Sequence, residues 1–226
     1  MEPLHIIPAW FLGLNTTFEI IFVIFTALIA FYSFKIYRIS RQRESRIFGL
    51  SFLFLSLSYA SIIVANILFL CILRGGFCTI EIGDIISLKN LFVLLYLSFL
   101  VLGFITLFYT TLKSKNTRLY FLLLFLSLTS IFYSADRSLS IYFISSLFLL
   151  LIGIHYFKQY SLIKNKNTLY VAIGISLIFI SNVLMGFVGN YTLPNLYVIS
   201  SFLEIAGYIF IVSSLIKVLK NGKKTK

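Results

Sequence analysis

Long runs of apolar residues dominate this chain and constrain its fold more than any other feature. Each run covers roughly 16 to 27 residues, and an α-helix needs about 20 to cross the hydrocarbon core of a bilayer. Hydrophobic residues make up 60% of the 226 residues and charged residues only 12%, too few for the polar surface of a soluble domain. The runs do not alternate as barrel strands do, and only helices or closed barrels satisfy every backbone group in lipid. The sequence therefore predicts an all-α, polytopic membrane protein.

Charged and turn residues divide the apolar sequence into seven predicted transmembrane spans. These are expected near 12–34, 47–73, 87–112, 119–134, 139–157, 168–189 and 195–216. The connections between them are short, so we expect one transmembrane domain over residues 1–226, arranged as a seven-transmembrane-helix bundle. Residues 217–226 are expected to form a basic cytoplasmic tail.

The positions of the basic residues predict the orientation of the bundle. Of 19 Lys and Arg residues, 16 lie after the first, third and fifth spans or near the C-terminus. Only Arg74, Lys89 and Arg137 occupy the alternate connections. This positive-inside distribution predicts an outside N-terminus, an inside C-terminus and a multi-pass protein of the cell membrane. We expect contact with anionic headgroups at the cytoplasmic face and no binding of nucleic acid.

Two glutamates inside apolar spans are the leading candidates for a functional role. At 100° per residue, each belongs to a stripe of small and polar residues on one helical face. The stripes are Asn15, Glu19, Thr26, Ala30 and Ser33 in the first span, and Ser200, Glu204, Gly207 and Ser214 in the seventh. Ionisable groups within membranes almost always face the interior of a bundle, so both stripes are expected to point inward.

Asn182 in the sixth span adds a third polar group at a similar depth. Counted from the nearest cytoplasmic lysine, Glu19 and Asn182 lie about 24 Å, and Glu204 about 20 Å, above the inner boundary. We expect these three residues to share one layer in the outer half, with the first and seventh spans adjacent. No basic residue lies at that depth, so both glutamates are expected to be largely protonated at neutral pH.

Two interpretations of this polar layer remain open. In the functional one, it is a proton- or cation-responsive site or a polar ligand pocket, with Glu19, Glu204, Asn182, Asn15 and Ser200 as candidate binding residues. In the structural one, neutral glutamic acids bond to Asn, Ser or backbone groups and hold the helices together. Buried carboxyl groups are costly to keep in a membrane, which favours the functional interpretation.

Other reactive residues carry weaker signals. The spacing of Cys71 and Cys78 permits a disulfide, two free thiols explain the pair as well, and the spacing is not that of metal ligands. No catalytic Ser/His/Asp or Cys/His set, zinc cluster or glycine-rich phosphate loop is visible. We therefore expect no catalytic residue, no enzyme activity, no cofactor and no metal site.

A resemblance begins at the first predicted cytoplasmic turn. The stretch "FYSFKIYRISRQRESRIFGLSFLFLSLSYA" combines a tyrosine-bearing helix exit, a basic linker and a span rich in Phe, Leu and Ser. It resembles the seven-helix input domains of microbial sensor kinases. The whole chain, with its ending "LEIAGYIFIVSSLIKVLK", is similar to small archaeal seven-helix membrane proteins of unassigned function.

The resemblance implies a stand-alone sensory or accessory module. No kinase, cyclase or other output domain is visible in the sequence, so signalling would require a membrane protein partner or a homo-oligomer. Two alternatives remain. One is a subunit of a small-solute or ion transporter or channel, and the other is a structural subunit of a larger membrane complex.

Overall fold

The computed structural model describes residues 9–74, 82–112, 117–134, 136–188 and 194–224. The regular secondary structure in these ranges is α-helical throughout. The helices are α1 (Ala9–Ser40), α2 (Arg43–Arg74), α3 (Ile82–Thr111), α4 (Thr117–Phe132), α5 (Arg137–Ile163), α6 (Lys166–Val188) and α7 (Pro194–Lys224). All except α4 are long and apolar enough to cross a membrane. The chain is therefore a multi-pass α-helical membrane protein.

The six long helices form a closed ring, and α4 packs outside it. Around the ring the neighbouring pairs are α1–α2, α2–α3, α3–α5, α5–α6, α6–α7 and α7–α1. Helix α4 contacts α3 and α5, and its outer side chains, 56–68% exposed, are Phe121, Leu122, Phe125 and Leu126. Lipid tails are as apolar as these side chains, so a bilayer accommodates such a surface.

Local hydrogen bonds explain where several helices end. The chain leaves α1 through Arg41, which has a positive φ of 53° and donates its backbone N–H to the Tyr37 carbonyl oxygen at 2.8 Å. Lys164 ends α5 in the same way, with φ 52° and a 2.7 Å bond to the Tyr160 carbonyl oxygen. At the start of α5, the Asp136 side chain caps the Leu139 N–H at 3.1 Å. The tight ends at Arg41 and Lys164 keep α1 beside α2, and α5 beside α6.

Glycines allow α6 and α7 to approach closely. A Cβ placed at Gly174 would lie 2.7 Å from the Gly207 carbonyl oxygen, and one at Gly207 would lie 2.7 Å from the Gly174 carbonyl oxygen. Any larger side chain at either position would force the two backbones apart, as is typical of small residues between membrane helices. Gly207 lies three residues after Glu204, so this contact is close to the polar layer.

The predicted inward orientation of both polar stripes is confirmed. Every residue of the α1 stripe is at most 9% exposed, and the Ser and Glu residues of the α7 stripe are at most 6% exposed. On the opposite side of α1, Leu28 is 37% exposed. Helices α1 and α7 are also neighbours, as predicted, and the rings of Phe18 and Phe202 pack edge to face with centroids 5.3 Å apart.

Candidate functional site

A cavity of about 180 Å³ lies inside the ring of helices. Each of the six ring helices contributes at least one polar side chain to its wall. These side chains are Glu19, Tyr59, Tyr96, Tyr142, Asn182, Tyr197 and Glu204. A space of this size and polarity holds several water molecules or a small organic molecule. We call it the central cavity.

Glu19 accepts hydrogen bonds from two asparagine amides. Asn15, one turn earlier on α1, places its Nδ2 3.1 Å from Glu19 Oε1. Asn66 on α2 places its Nδ2 2.9 Å from Oε1 and 2.8 Å from Oε2. Asn15 in turn accepts a hydrogen bond on Oδ1 from the Tyr197 hydroxyl of α7. The Glu19 carboxyl group therefore lies in a chain of hydrogen bonds that joins α2, α1 and α7.

Glu204 accepts hydrogen bonds from two tyrosine hydroxyls on the same oxygen, Oε1. One comes from Tyr59 on α2 and the other, at 2.9 Å, from Tyr208, one turn further along α7. The two hydroxyl oxygens are 3.0 Å apart, so one phenol can donate to the other in place of its bond to the carboxyl oxygen. Phe22 of α1 packs against both rings, with centroid distances of 5.1 Å to Tyr59 and 6.0 Å to Tyr208. This packing holds both phenols on the carboxyl group.

Asn182 is held between α5 and α6. Its Oδ1 accepts a hydrogen bond from Ser145 Oγ at 2.9 Å, and its Nδ2 donates to the Ile178 carbonyl oxygen at 3.1 Å. The Asn182 side chain also lines the central cavity. The three residues predicted to share one layer are thus brought together around a single space.

The two remaining candidate residues take different places. Asn15 supports Glu19 through the hydrogen bond described above and is itself buried. Ser200 is fully buried, but it lies outside the cavity wall, and its hydroxyl has no hydrogen-bond partner among the described residues. Cys78 and the side chain of Cys71 lie outside the described residues, so the disulfide stays a prediction.

Two carboxyl groups share the cavity without a basic partner. The described wall contains no Lys, Arg or His. Unit charges 4 Å apart interact by about 4 kcal/mol at an effective dielectric constant of 20, so even one ionised carboxyl group favours a cation strongly over an anion. Tyrosine adds hydroxyl oxygens that accept hydrogen bonds and ring faces that attract cations. The chemistry of the wall thus suits a proton or a cation.

The tyrosines and Asn66 are functional candidates that sequence reasoning missed. Tyr59 and Asn66 are seven residues apart on α2, and Tyr197, Glu204 and Tyr208 follow the same helical face of α7. Tyrosine in membrane proteins is enriched at the two membrane–water interfaces. Tyrosines in the middle of apolar spans are therefore unusual, and their positions could have identified them as candidate site residues. The spacing of Tyr197 and Tyr208 from Glu204 would have placed both on the inward face of α7.

Comparison with known proteins gives no match for this chain among family models, curated proteins or solved structures.

Proposed function

We propose that this protein is a sensory or accessory membrane module whose central cavity binds a proton or a small cation and passes the change to a partner protein. The observation that carries the proposal is that Glu19 and Glu204 line one cavity whose described wall has no basic residue. Sequence resemblance to input domains of sensor kinases is consistent with it.

Binding in the central cavity has a direct route to the rest of the molecule. Every ring helix contributes a polar side chain to the wall, so a bound ion contacts several helices at once. A ligand shifts an equilibrium between two arrangements when its contacts differ between them. Small changes in helix positions are a common form of such a shift, and the partner would detect them at the cytoplasmic ends.

The proposed orientation has seven spans, with the N-terminus outside and the C-terminus inside the cell membrane. Its support is the charge distribution, since 16 basic residues fall on one side and three on the other. Helix α4 would be the fourth span, and its 16 residues reach about 24 Å, which requires a locally thinner bilayer. In this orientation the central cavity lies in the outer half of the membrane.

The proposal is tested by measuring helix movement in the reconstituted protein. Spin labels on cysteines at Gln42 and Lys220 report the distance between the ends of α1 and α7 as pH is changed or as sodium or methylammonium is added. The wild-type distance should change, and Glu204→Gln should abolish the change. Glu44→Gln is the matched control, because Glu44 is exposed at the start of α2, away from the central cavity.

The same preparation separates the rival functions. A transporter or channel subunit would move the added cation across the membrane of a proteoliposome, and Glu204→Gln would stop that flux. A purely structural subunit would show neither flux nor any change in the distance. Either of these two results would contradict a sensory role.

A further inference from the structure

A second space lies between α5 and α6 on the outer surface of the ring. It is a groove of about 460 Å³, which we call the α5/α6 groove. Its lining is mostly apolar, and Phe143, Leu147, Leu150 and Phe187 in this lining are 45–68% exposed. Apolar side chains exposed on a membrane helix face the lipid. The α5/α6 groove is therefore open to the hydrocarbon region of the bilayer.

The α5/α6 groove and the central cavity share part of their walls. Tyr142 and Asn182 line both spaces. Asn182 is held by two hydrogen bonds, to Ser145 and to the Ile178 carbonyl oxygen, whereas the Tyr142 side chain is hydrogen-bonded to Tyr96 across the cavity. Gly186 leaves room beside it, since a Cβ at that position would already lie 3.5 Å from the Tyr142 Cβ. A rotation of the Tyr142 side chain that gives up its hydrogen bond to Tyr96 would join the two spaces.

We infer that the ligand of the central cavity is a lipophilic amine that enters from the bilayer through the α5/α6 groove. This inference rests on the proposed function and names its ligand class. The acidic cavity suits an ammonium group, and the apolar groove suits the hydrocarbon chain attached to it. The hydrocarbon chain of the amine has apolar surroundings both in the bilayer and in the α5/α6 groove, so its transfer gains no hydrophobic free energy. The α5/α6 groove therefore contributes a route and a matching shape.

The charge of the amine sets the order of events. An ammonium ion is costly to move through an apolar passage, by about 3 kcal/mol or more at the centre of a bilayer. The amine therefore passes the α5/α6 groove uncharged. In the cavity it takes the proton of a glutamic acid, so one O–H bond breaks, one N–H bond forms, and an ammonium–carboxylate pair results. The pair is neutral as a whole, as a buried site requires.

The test uses the full chain in lipid nanodiscs, with n-decylamine as the probe. Decan-1-ol has the same chain with an uncharged head, and empty nanodiscs give the background of partitioning into lipid. Calorimetry should show saturable binding of decylamine above this background and none for decanol. Infrared difference spectra should show that binding removes a carboxylic acid band and creates a carboxylate band, and Glu204→Gln should reduce both changes.

The route is tested with two matched substitutions on α5. Leu147→Trp fills the α5/α6 groove. Leu151→Trp is the control, because Leu151 lies one turn further along α5 and outside the groove lining. The two leucines are similarly exposed, Leu147 at 47% and Leu151 at 40%. Because the indole ring takes the space of the bound decyl chain, decylamine should bind about tenfold more weakly to Leu147→Trp and as in wild type to Leu151→Trp. Gly186→Leu is a second groove-filling variant, in case Leu147→Trp does not fold.

The outcomes separate this inference from the proposed function. If decylamine binding is unchanged by both groove-filling variants, or if only water-soluble methylammonium binds, entry from the bilayer is wrong while a cation site stands. If no amine binds but pH still changes the helix distance, the amine assignment is wrong and the cavity is a proton site. If amines, sodium and pH all have no effect on the helix distance, the proposed function fails as well.

Discussion

The Tyr59 hydroxyl of α2 donates a hydrogen bond to Glu204 of α7, two residues separated by 145 positions in the sequence. In the part of the chain that the structure describes, α2 and α7 are not neighbours in the ring, because α1 lies between them. The bond therefore crosses the interior of the bundle behind α1. Together with the edge-to-face contact between Phe52 of α2 and Tyr208 of α7, it joins two helices whose backbones are not adjacent, and it places the Glu204 carboxyl group between them.

Removing this bond should lower stability by a modest amount. Tyr59→Phe is expected to reduce the free energy of unfolding by about 1 kcal/mol, the usual scale for hydrogen bonds between membrane helices. Tyr109→Phe is the matched control, since Tyr109 is equally buried (6% against 7%) and its hydroxyl has no partner among the described residues. The change in the free energy of unfolding is measured for both variants by reversible unfolding in mixed micelles. An equal effect of the two substitutions would show that the Tyr59 bond contributes nothing.

Glutamine in place of either glutamate should preserve the fold. Glu204→Gln keeps an acceptor oxygen for both phenols, and Glu19→Gln keeps one for the amides of Asn15 and Asn66. We expect the unfolding free energy to change by less than about 0.5 kcal/mol, because the side-chain volume and the acceptor oxygen are both kept and no phenol or amide loses its partner. Glu204→Leu removes the acceptor and should cost about 2 kcal/mol, because the two buried phenols can then bond only to each other and one hydroxyl hydrogen is left without an acceptor. A glutamine variant as unstable as Glu204→Leu would contradict this account of the hydrogen bonds.

Infrared spectroscopy can determine the protonation of the empty cavity. With no basic residue in the described wall, we expect both glutamates to be neutral acids at neutral pH. The carboxylic acid bands should lose one component in Glu19→Gln and another in Glu204→Gln. Carboxylate bands that disappear in these variants instead would show that the acids are ionised in the absence of a ligand.

The contact between α6 and α7 should be intolerant of any side chain. Gly207→Ala places a methyl group 2.7 Å from the Gly174 carbonyl oxygen and is expected to destabilise the protein by about 1–3 kcal/mol, as overpacking does. Gly153→Ala is the control, because its nearest contact would be 4.0 Å away, so it should be neutral or slightly stabilising. The midpoint temperatures of thermal unfolding of the two variants test this difference in stability. Equal midpoints would mean that the two helices are not closely packed.

The orientation is testable by cysteine labelling from each side of the membrane. The background is a variant in which Cys71 and Cys78 are replaced by serine, and it should not react by itself. Cysteines at Gln42 or Lys223 should then react only with a reagent applied from the cytoplasm, and one at Asp84 only from outside. The reverse pattern would overturn the orientation that the basic residues predict.

Within a single helix, sequence reasoning predicted which residues face the interior of the bundle. The 100° period identified the inward faces of α1 and α7, and the rise per residue placed Glu19, Asn182 and Glu204 at one depth. Periodicity says nothing about which faces of different helices meet, so the Tyr59–Glu204 and Asn66–Glu19 bonds were not predicted.

The same limit applies to the arrangement of the helices. The length of an apolar run does not determine its neighbours, and the position of α4 outside the ring was not foreseen. Helix α7 also continues to Lys224, through most of the segment expected as a tail, because its lysines are good helix formers and no proline interrupts them.

The glycine contact between α6 and α7 has a consequence for how the molecule moves. Two backbones this close have little room to move relative to each other, so we expect α6 and α7 to move together. Asn182 on α6 and Glu204 on α7 would then keep their separation when the cavity binds a ligand. We therefore expect a response to ligand as a movement of the α6–α7 pair against its ring neighbours α5 and α1.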